Sequence, residues 1–308
     1  QLSYSSSSAQ SFFFSCTLET RSSMDGAMPI QPTPPPEVPE SLTAEELAAC
    51  VAVYRACVAA ALPISMLSAQ LVIMATLTSK LRIEKTVQTL KAMHAEVFEA
   101  YALDPDAIGF DASPNTIQTK WGECEPFWNR YRVCGKDEDG RSIMWIAGGK
   151  TERDAEKQLV HTSVLFFLAV HADLATLRGG VTFVIDTTHA PTSKVGNERK
   201  LQKTWQSMPL RPQHFYIMGA TWFKRLAINA LLKFAAVFSN SKVIERIRFA
   251  DLEEVTVQVG AASLPSEYGG DDRSTVSTSE WVAARLAAYP GATEFAAAVA
   301  DEAAATDK

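Results

Sequence analysis

Four short runs rich in β-branched and aromatic residues recur from residue 143 onward: IMWIA (143–147), GGVTFVID (179–186), HFYIM (214–218) and RIRFA (246–250). Helix-compatible segments fill the gaps, namely 152–177, a polar stretch near 198–206 and 222–238. Strands separated by crossovers of this length pair in parallel, because only a long connection returns the chain to the end at which the previous strand began. The alternation therefore predicts an α/β fold with a mainly parallel sheet covered by helices.

The chain before them is different. Residues 1–40 open on Gln1, carry SYSSSSAQS and end in PIQPTPPPEVPE, where proline forbids a helix or a ladder. They read as disordered or artefactual, with Met24 or Met28 as candidate starts. Order is expected from Thr43, where T-A-E-E supplies an N-cap hydroxyl and a glutamate three residues later, ahead of the run LAACVAVYRACVAAAL. Pro63 ends that helix; two more are expected over 66–79 and 83–102, the latter with Val87, Leu90, Met93, Val97 and Tyr101 on one stripe. The expected organisation is a three-helix module (41–110), an α/β domain (111–272) and a helical or fraying tail (273–308).

Most familiar chemistries are excluded by what is missing around their signatures. Five cysteines with no C-x-x-C pair indicate neither a disulfide framework nor a zinc site, and favour a reducing, cytoplasmic setting. GGKT (148–151) lacks the earlier glycine of a phosphate-binding loop, since Met144 stands there. Cys124 to Arg130 has phosphatase spacing, but Glu125 would repel a phosphate. Asp186 and His189 could form an acid/base pair, yet no G-x-S-x-G elbow provides a nucleophile, and a capping role for Asp186 is favoured. His161 and His171 have no ligand partner at i+3 or i+4. The net charge of −6 argues against nucleic acid as a partner, and the apolar run 164–170 is far short of the roughly 18 residues of a membrane span. No catalytic residue, metal or cofactor is expected.

Against this acidic background, 211–250 carries seven cations and one carboxylate, Glu245. Wound as a helix, 222–238 sets Phe223, Ala227, Leu231, Phe234 and Phe238 on one face, and interleaves Lys224, Arg225 and Lys233 with Trp222, Ile228 and Leu232 on the other. Two apolar faces with cations on only one fit a helix between an acyl chain and anionic headgroups. Packing on both faces with snorkelling cations is the alternative.

KLRIEKTVQTL (80–90), GKDEDGRSI (135–143), PLRPQHFYIMGATWF (209–223), RIRF (246–249) and LPSEYGG (264–270) together resemble the CRAL-TRIO lipid-binding family, which includes phosphatidylinositol-transfer, tocopherol-transfer and retinaldehyde-binding proteins. KLRIEKTVQTL (80–90) is similar to its amino-terminal helical pattern, and GKDEDGRSI (135–143) to its G-x-D-x-x-GRP turn, with Ser142 for proline. PLRPQHFYIMGATWF (209–223), RIRF (246–249) and LPSEYGG (264–270) resemble its later strands and closing motif, with Leu210 for a glutamate, Thr221 for a proline and Arg246 for a lysine. The resemblance implies a sheet flooring a hydrophobic pocket, closed by a gate at 222–238. It also implies a monomer that exchanges a phospholipid or isoprenoid-like lipid at anionic membrane surfaces. The candidate pocket is Ile143, Trp145, Phe183, Ile185, Phe215 and Ile217 on the strands, with Phe223, Ala227, Leu231, Phe234 and Phe238 on the gate; a one-residue slip would exchange the strand faces. Arg211 and Arg246 are the headgroup candidates. Trp222, Lys224, Arg225, Ile228, Leu232 and Lys233 are the membrane-contact candidates. The alternative is a family member with a filled pocket that serves as an interaction scaffold.

Overall fold

The computed structural model describes residues 41–103, 131–147, 156–188, 204–221, 245–270 and 278–306. Among them five strands form one sheet in sequential order: β1 (Tyr131–Lys136), β2 (Ser142–Ala147), β3 (Val181–Asp186), β4 (Pro212–Met218) and β5 (Ile247–Phe249). β2 to β5 run parallel, as the alternation requires, and β1 pairs antiparallel with β2. Strand β1 has no counterpart in the sequence reading, because YRVCGK ends in glycine and lysine and offers only Tyr131 and Val133 as a buried alternation.

The β1–β2 hairpin is organised by one side chain. Asp137 accepts hydrogen bonds from the backbone N–H of Asp139 (3.1 Å) and of Arg141 (2.9 Å), from Arg141 Nε (2.8 Å), and from the Thr182 hydroxyl on β3 (2.8 Å). The G-x-D-x-x-G-R spelling of this segment thus closes a turn and ties it to the next strand. Gly140, at φ +74°, supplies the left-handed residue the turn needs.

The amino-terminal module consists of α1 (Ala44–Ala59), α2 (Ala69–Thr78) and α3 (Ile83–Met93), the last extended by a π turn over His94–Glu99. The expected capping box is present: Glu46 N–H donates to Thr43 Oγ1 (3.2 Å), and Thr43 N–H to Glu46 Oε2 (2.8 Å). Glu46 has a second role that its position in a capping box does not announce. Arg178 grips it in bidentate fashion, with two N–H···O bonds of 2.7 Å, which fastens the module to the α/β domain. The Arg178 hydrogen bonds, against an opposing push from burial, hold the Glu46 carboxyl below its ordinary range.

One continuous helix was expected over 152–177. The structure instead shows α4 (Glu156–Val170) and α5 (Leu174–Gly179), separated at His171–Asp173, where the Asp173 carboxylate caps the new helix by accepting Thr176 N–H at 2.7 Å. Helix α6 (Leu252–Val259) follows β5, and its Asp251/Glu254 capping box carries the same kind of sequence signature as Thr43/Glu46. The chain closes with α7 (Thr278–Ala287) and α8 (Ala292–Thr306). Neither is a loose tail: Trp281, Val282, Leu286, Tyr289 and Phe295 are buried, α7 packs on α4, and α8 packs on α1 and α2.

These layers converge on Asp173. Besides capping α5, its carboxylate receives Lys136 Nζ from β1 (2.7 Å), Arg285 from α7 (2.9 Å), and the hydroxyls of Ser142 (3.0 Å) and Thr176 (2.8 Å). Arg285 also donates to the carbonyls of Ala169 (3.0 Å) and Val170 (3.3 Å), the otherwise unsatisfied end of α4. Burial pushes the Asp173 carboxyl up, but the charges of Lys136 and Arg285, with their hydrogen bonds, outweigh it and hold the group below its usual range. Nearby His171 is buried with Nδ1 on the Phe167 carbonyl (2.6 Å), and burial holds it neutral by lowering its pKa to about 4.

Removing the shared carboxylate strands two cations. Asp173→Asn is expected to cost about 3–5 kcal/mol, read as a lower urea midpoint. Because the folded pKa lies below the unfolded one, the contribution of Asp173 is complete above the unfolded value of about 4 and is lost as pH falls through the folded value. The acid limb of the stability curve should therefore be shallower in Asp173→Asn than in the parent protein.

Candidate functional site: a cleft between the helical module and the sheet

Strand register assigns the two faces. Met144, Phe183, Phe215 and Ile247 align across β2 to β5, as do Ile146, Ile185, Ile217 and Phe249, and both rows share a face. Trp145, Val184, Tyr216 and Arg248 form a row on the other face, where Ile143 also lies. The expected grouping of Ile143 and Trp145 with Phe183, Ile185, Phe215 and Ile217 is thereby corrected: on β2 it is Met144 and Ile146 that share their face. The phase could not be read because β2 is apolar at four consecutive positions, so no polar residue marks the outward side.

The first face opens into a cleft of about 240 Å³. Phe183 and Phe215 lie at its base with rings stacked at 5.2 Å, and Trp205, Gln206, Met208, Pro209, Leu210 and Pro212 wall one side. Thr78 and Ser79 from the end of α2, with Lys85 and Thr89 from α3, form the other. Thr204 donates its hydroxyl to the Glu96 carbonyl (3.0 Å), which pins the helical turn at 204–207 to the module and sets Trp205 beside Phe167. Lys80 and Leu81, at φ +58° and +57°, make the turn that swings α3 back against the cleft. Two successive non-glycine residues in that region cost roughly 1–2 kcal/mol each, strain that persists only where the surroundings impose it.

Of the expected pocket residues, Phe183 and Phe215 line this cleft, while Ile185 and Ile217 are buried further along the same face. Arg211 lies between the cleft-lining Leu210 and Pro212 and donates to the Arg178 carbonyl; Arg246 donates to the Pro212 carbonyl at 2.7 Å. Arg211 is held below its usual pKa by burial and then by the charges of Arg246 and Arg141. Arg211, Arg246 and Arg141 thus lie near one another at this end of the sheet, with Arg141 paired to Asp137 and Asp139. Trp222, Phe223, Lys224, Arg225, Ala227, Ile228, Leu231, Leu232, Lys233, Phe234 and Phe238 lie outside the described residues, as do GGKT, the Cys124–Arg130 pair and His189. The sequence reading passed over Thr78, Ser79, Lys85, Thr89 and Trp205. Trp205, one large aromatic in an otherwise polar segment, was the available signal.

Among the described lining residues, Lys85 is the only ionisable one. Burial, followed by the nearby charges of Arg82 and Lys80, lowers its pKa. The two threonine hydroxyls of the cleft have their protons committed, Thr78 to the Met74 carbonyl (2.6 Å) and Thr89 to the Lys85 carbonyl (3.0 Å).

The second face is closed by LPSEYGG. Tyr268 stacks on Trp145 with ring centroids 5.0 Å apart and donates its hydroxyl to Asp186 at the end of β3. Burial, then that hydrogen bond, raises the Tyr268 pKa. Trp145 Nε1 donates to the Ser263 carbonyl (3.1 Å), and Glu267 meets Arg132 at 3.6 Å. Asp186 also accepts from Thr188 N–H (2.8 Å) and its hydroxyl (2.6 Å), a loop-capping role. The motif does not leave a strand, as its proline suggested; it follows α6 and forms a short turn of helix at Ser266–Tyr268.

The two glycines answer different demands. Gly269 takes φ +85° with open space around it, whereas a Cβ on Gly270 would stand 1.7 Å from the Leu264 carbonyl oxygen. Gly269→Ala is expected to cost about 1–2 kcal/mol, the left-handed penalty alone. Gly270→Ala should cost more, because the backbone itself must move, and chemical denaturation of the two variants will order them.

Among the described residues, no helix is long and apolar enough to cross a membrane. Residues 131–270 match the model of the CRAL/TRIO domain. No match was found among the curated proteins.

Proposed function

We propose that this chain, whose residues 131–270 form a CRAL/TRIO domain of the lipid-binding kind, binds one lipid on the Phe183/Phe215 face of its sheet and exchanges it at membrane surfaces. The observation that carries this reading is the cleft: an aromatic base with walls drawn from two parts of the chain and polar groups on the module side, a concave setting of the kind in which small hydrophobic ligands are held. Burying an acyl chain there gains about 0.8 kcal/mol per methylene, which drives uptake without bond chemistry.

The amphipathic segment 222–238 is the proposed gate, with Phe223, Ala227, Leu231, Phe234 and Phe238 toward the lipid. Trp222, Lys224, Arg225, Ile228, Leu232 and Lys233 meet the anionic surface. Its support is the sequence pattern. Arg211 and Arg246 are the proposed headgroup contacts, supported by their place near one another beside the cleft-lining Leu210 and Pro212. Arginine suits that task because its planar fork matches a phosphate bidentately. One observation favours the scaffold reading: at about 240 Å³ the cleft falls short of the roughly 300–1,000 Å³ usual for ligand pockets.

Two measurements separate the readings. A lipid-exchange protein should release a hydrophobic molecule on organic extraction, identifiable by mass spectrometry, and should move labelled lipid between vesicles. Leu210→Trp, which fills the cleft from a half-buried position, should slow that transfer several-fold with stability changed by no more than about 0.5 kcal/mol. A folded protein with no extractable lipid and no transfer activity is a scaffold.

A further inference from the structure

The sheet carries a second recess on its other face. LPSEYGG covers that face beside β2 and β3, through Trp145 and Asp186. Further along, where β5 ends the order of strands, a groove of about 340 Å³ remains between β4, β5 and α6. Its two walls carry opposite charge. On the strand side stands Arg248, exposed and in the same row as Tyr216. Burial raises the Tyr216 pKa and the charge of Arg248 opposes the rise, so the guanidinium lies close to the phenol. On the helix side stand Glu253 and Glu254, in the first turn of α6. Glu254 is engaged by its capping box and accepts Asp251 N–H at 2.9 Å. The Glu253 carboxylate and the Arg248 guanidinium have neither a hydrogen bond nor an ion pair among the described residues.

The same groove has an apolar lining. Val257, one helical turn beyond Glu253, is 71% exposed, and Phe249 and Ala250 line the recess with it. Tyr216 donates its hydroxyl to Gln258 Oε1 at 3.3 Å, which leaves the Gln258 amide N–H groups available to a main-chain carbonyl. A lone surface valine is ordinary; this one lines a concavity whose two unpaired charges would each gain from a partner of opposite sign. The exposure of the walls decides the kind of occupant. Arg248, Glu253, Val257 and Gln258 are all exposed, so a small molecule here would stay largely wet, whereas ligand sites usually bury about 70–90% of a ligand's surface. An anionic membrane would be repelled by Asp251, Glu253 and Glu254. A polypeptide meets both charges, the apolar lining and the free amide at once.

We propose that the groove between β5 and α6 docks an extended segment of a partner protein, with an aliphatic or aromatic side chain against Val257, an acidic side chain on Arg248 and a basic one on Glu253. The proposal is independent of the lipid-binding reading, because the groove and the Phe183/Phe215 cleft open on opposite faces of the sheet.

The test uses the full chain as bait for a phage-displayed library of random dodecapeptides, and the best-enriched peptide is then synthesised with a fluorescent label and titrated by anisotropy at low salt. That peptide is expected to carry the three side-chain types and to bind Val257→Ser about tenfold more weakly, the worth of one buried aliphatic contact. Arg248→Gln should weaken it about fivefold, and should have no effect on a copy of the peptide whose acidic residue is replaced by its amide; Glu253→Gln should behave likewise toward the basic residue. All three side chains are exposed, so the substitutions leave the core untouched. A best-enriched peptide indifferent to Val257→Ser overturns the proposal, as does one whose charges show no coupling to Arg248 and Glu253. Dimerisation in sedimentation that Val257→Ser abolishes would assign the groove to a second copy of this chain, and pelleting with phosphatidylserine vesicles that Val257→Ser abolishes would assign it to a membrane; either result also overturns the proposal.

Discussion

The carboxylate of Asp173 is buried where β1, β2, α5 and α7 meet, and the arrangement of the molecule turns on keeping it satisfied. A buried anion without partners would be prohibitive. Here Lys136, Arg285, Ser142 and Thr176 share it, and each partner is carried by a different stretch of chain, except Thr176, which α5 itself supplies. Arg285 in turn satisfies the open end of α4. One residue therefore stops a helix, starts the next, anchors the β1 hairpin and holds the carboxy-terminal helices in place. The Glu46–Arg178 pair does the corresponding work for the amino-terminal module.

With both ends of the chain fixed, the two faces of the sheet serve different purposes. The Trp145 face is closed by a compact polar and aromatic clasp, in which Tyr268, Asp186, Ser263, Glu267 and Arg132 satisfy one another. The opposite face keeps a cleft, because the module meets the sheet through a turn and a helix end rather than through a continuous packed surface. Closing one face firmly lets the other remain receptive, since the sheet does not depend on the cleft side alone for its burial.

Much of this was legible in advance. Parallel strands follow from the spacing of the β-rich runs, and the first helix from the Thr43 capping box, because both are consequences of local chain geometry. The same capping signature at Asp251 and Glu254 would have announced α6. What could not be read was phase and partnership. β2 is apolar on both faces, so nothing in IMWIA distinguishes Ile143 from Met144 as the inward residue. Asp173 sits in a helix-compatible run, and its role as a break depends on cations that lie 37 residues before it and 112 after it. Lys85 is unremarkable in its own segment, Trp205 stands out in its own only as an isolated aromatic, and the two come to line one cleft only once the chain has folded.

Sequence by itself determined the class of fold, the order of its elements and the fold-naming end motif, because periodicity, caps and turn residues act within a few positions along the chain. Tertiary structure alone decided which side of each strand faces the cleft, which charges share Asp173, and that Lys85 stands at the opening of an aromatic-floored cleft. Those outcomes are set by burial and Coulomb interaction between groups remote in sequence, and such energies have no value until the chain has folded around them.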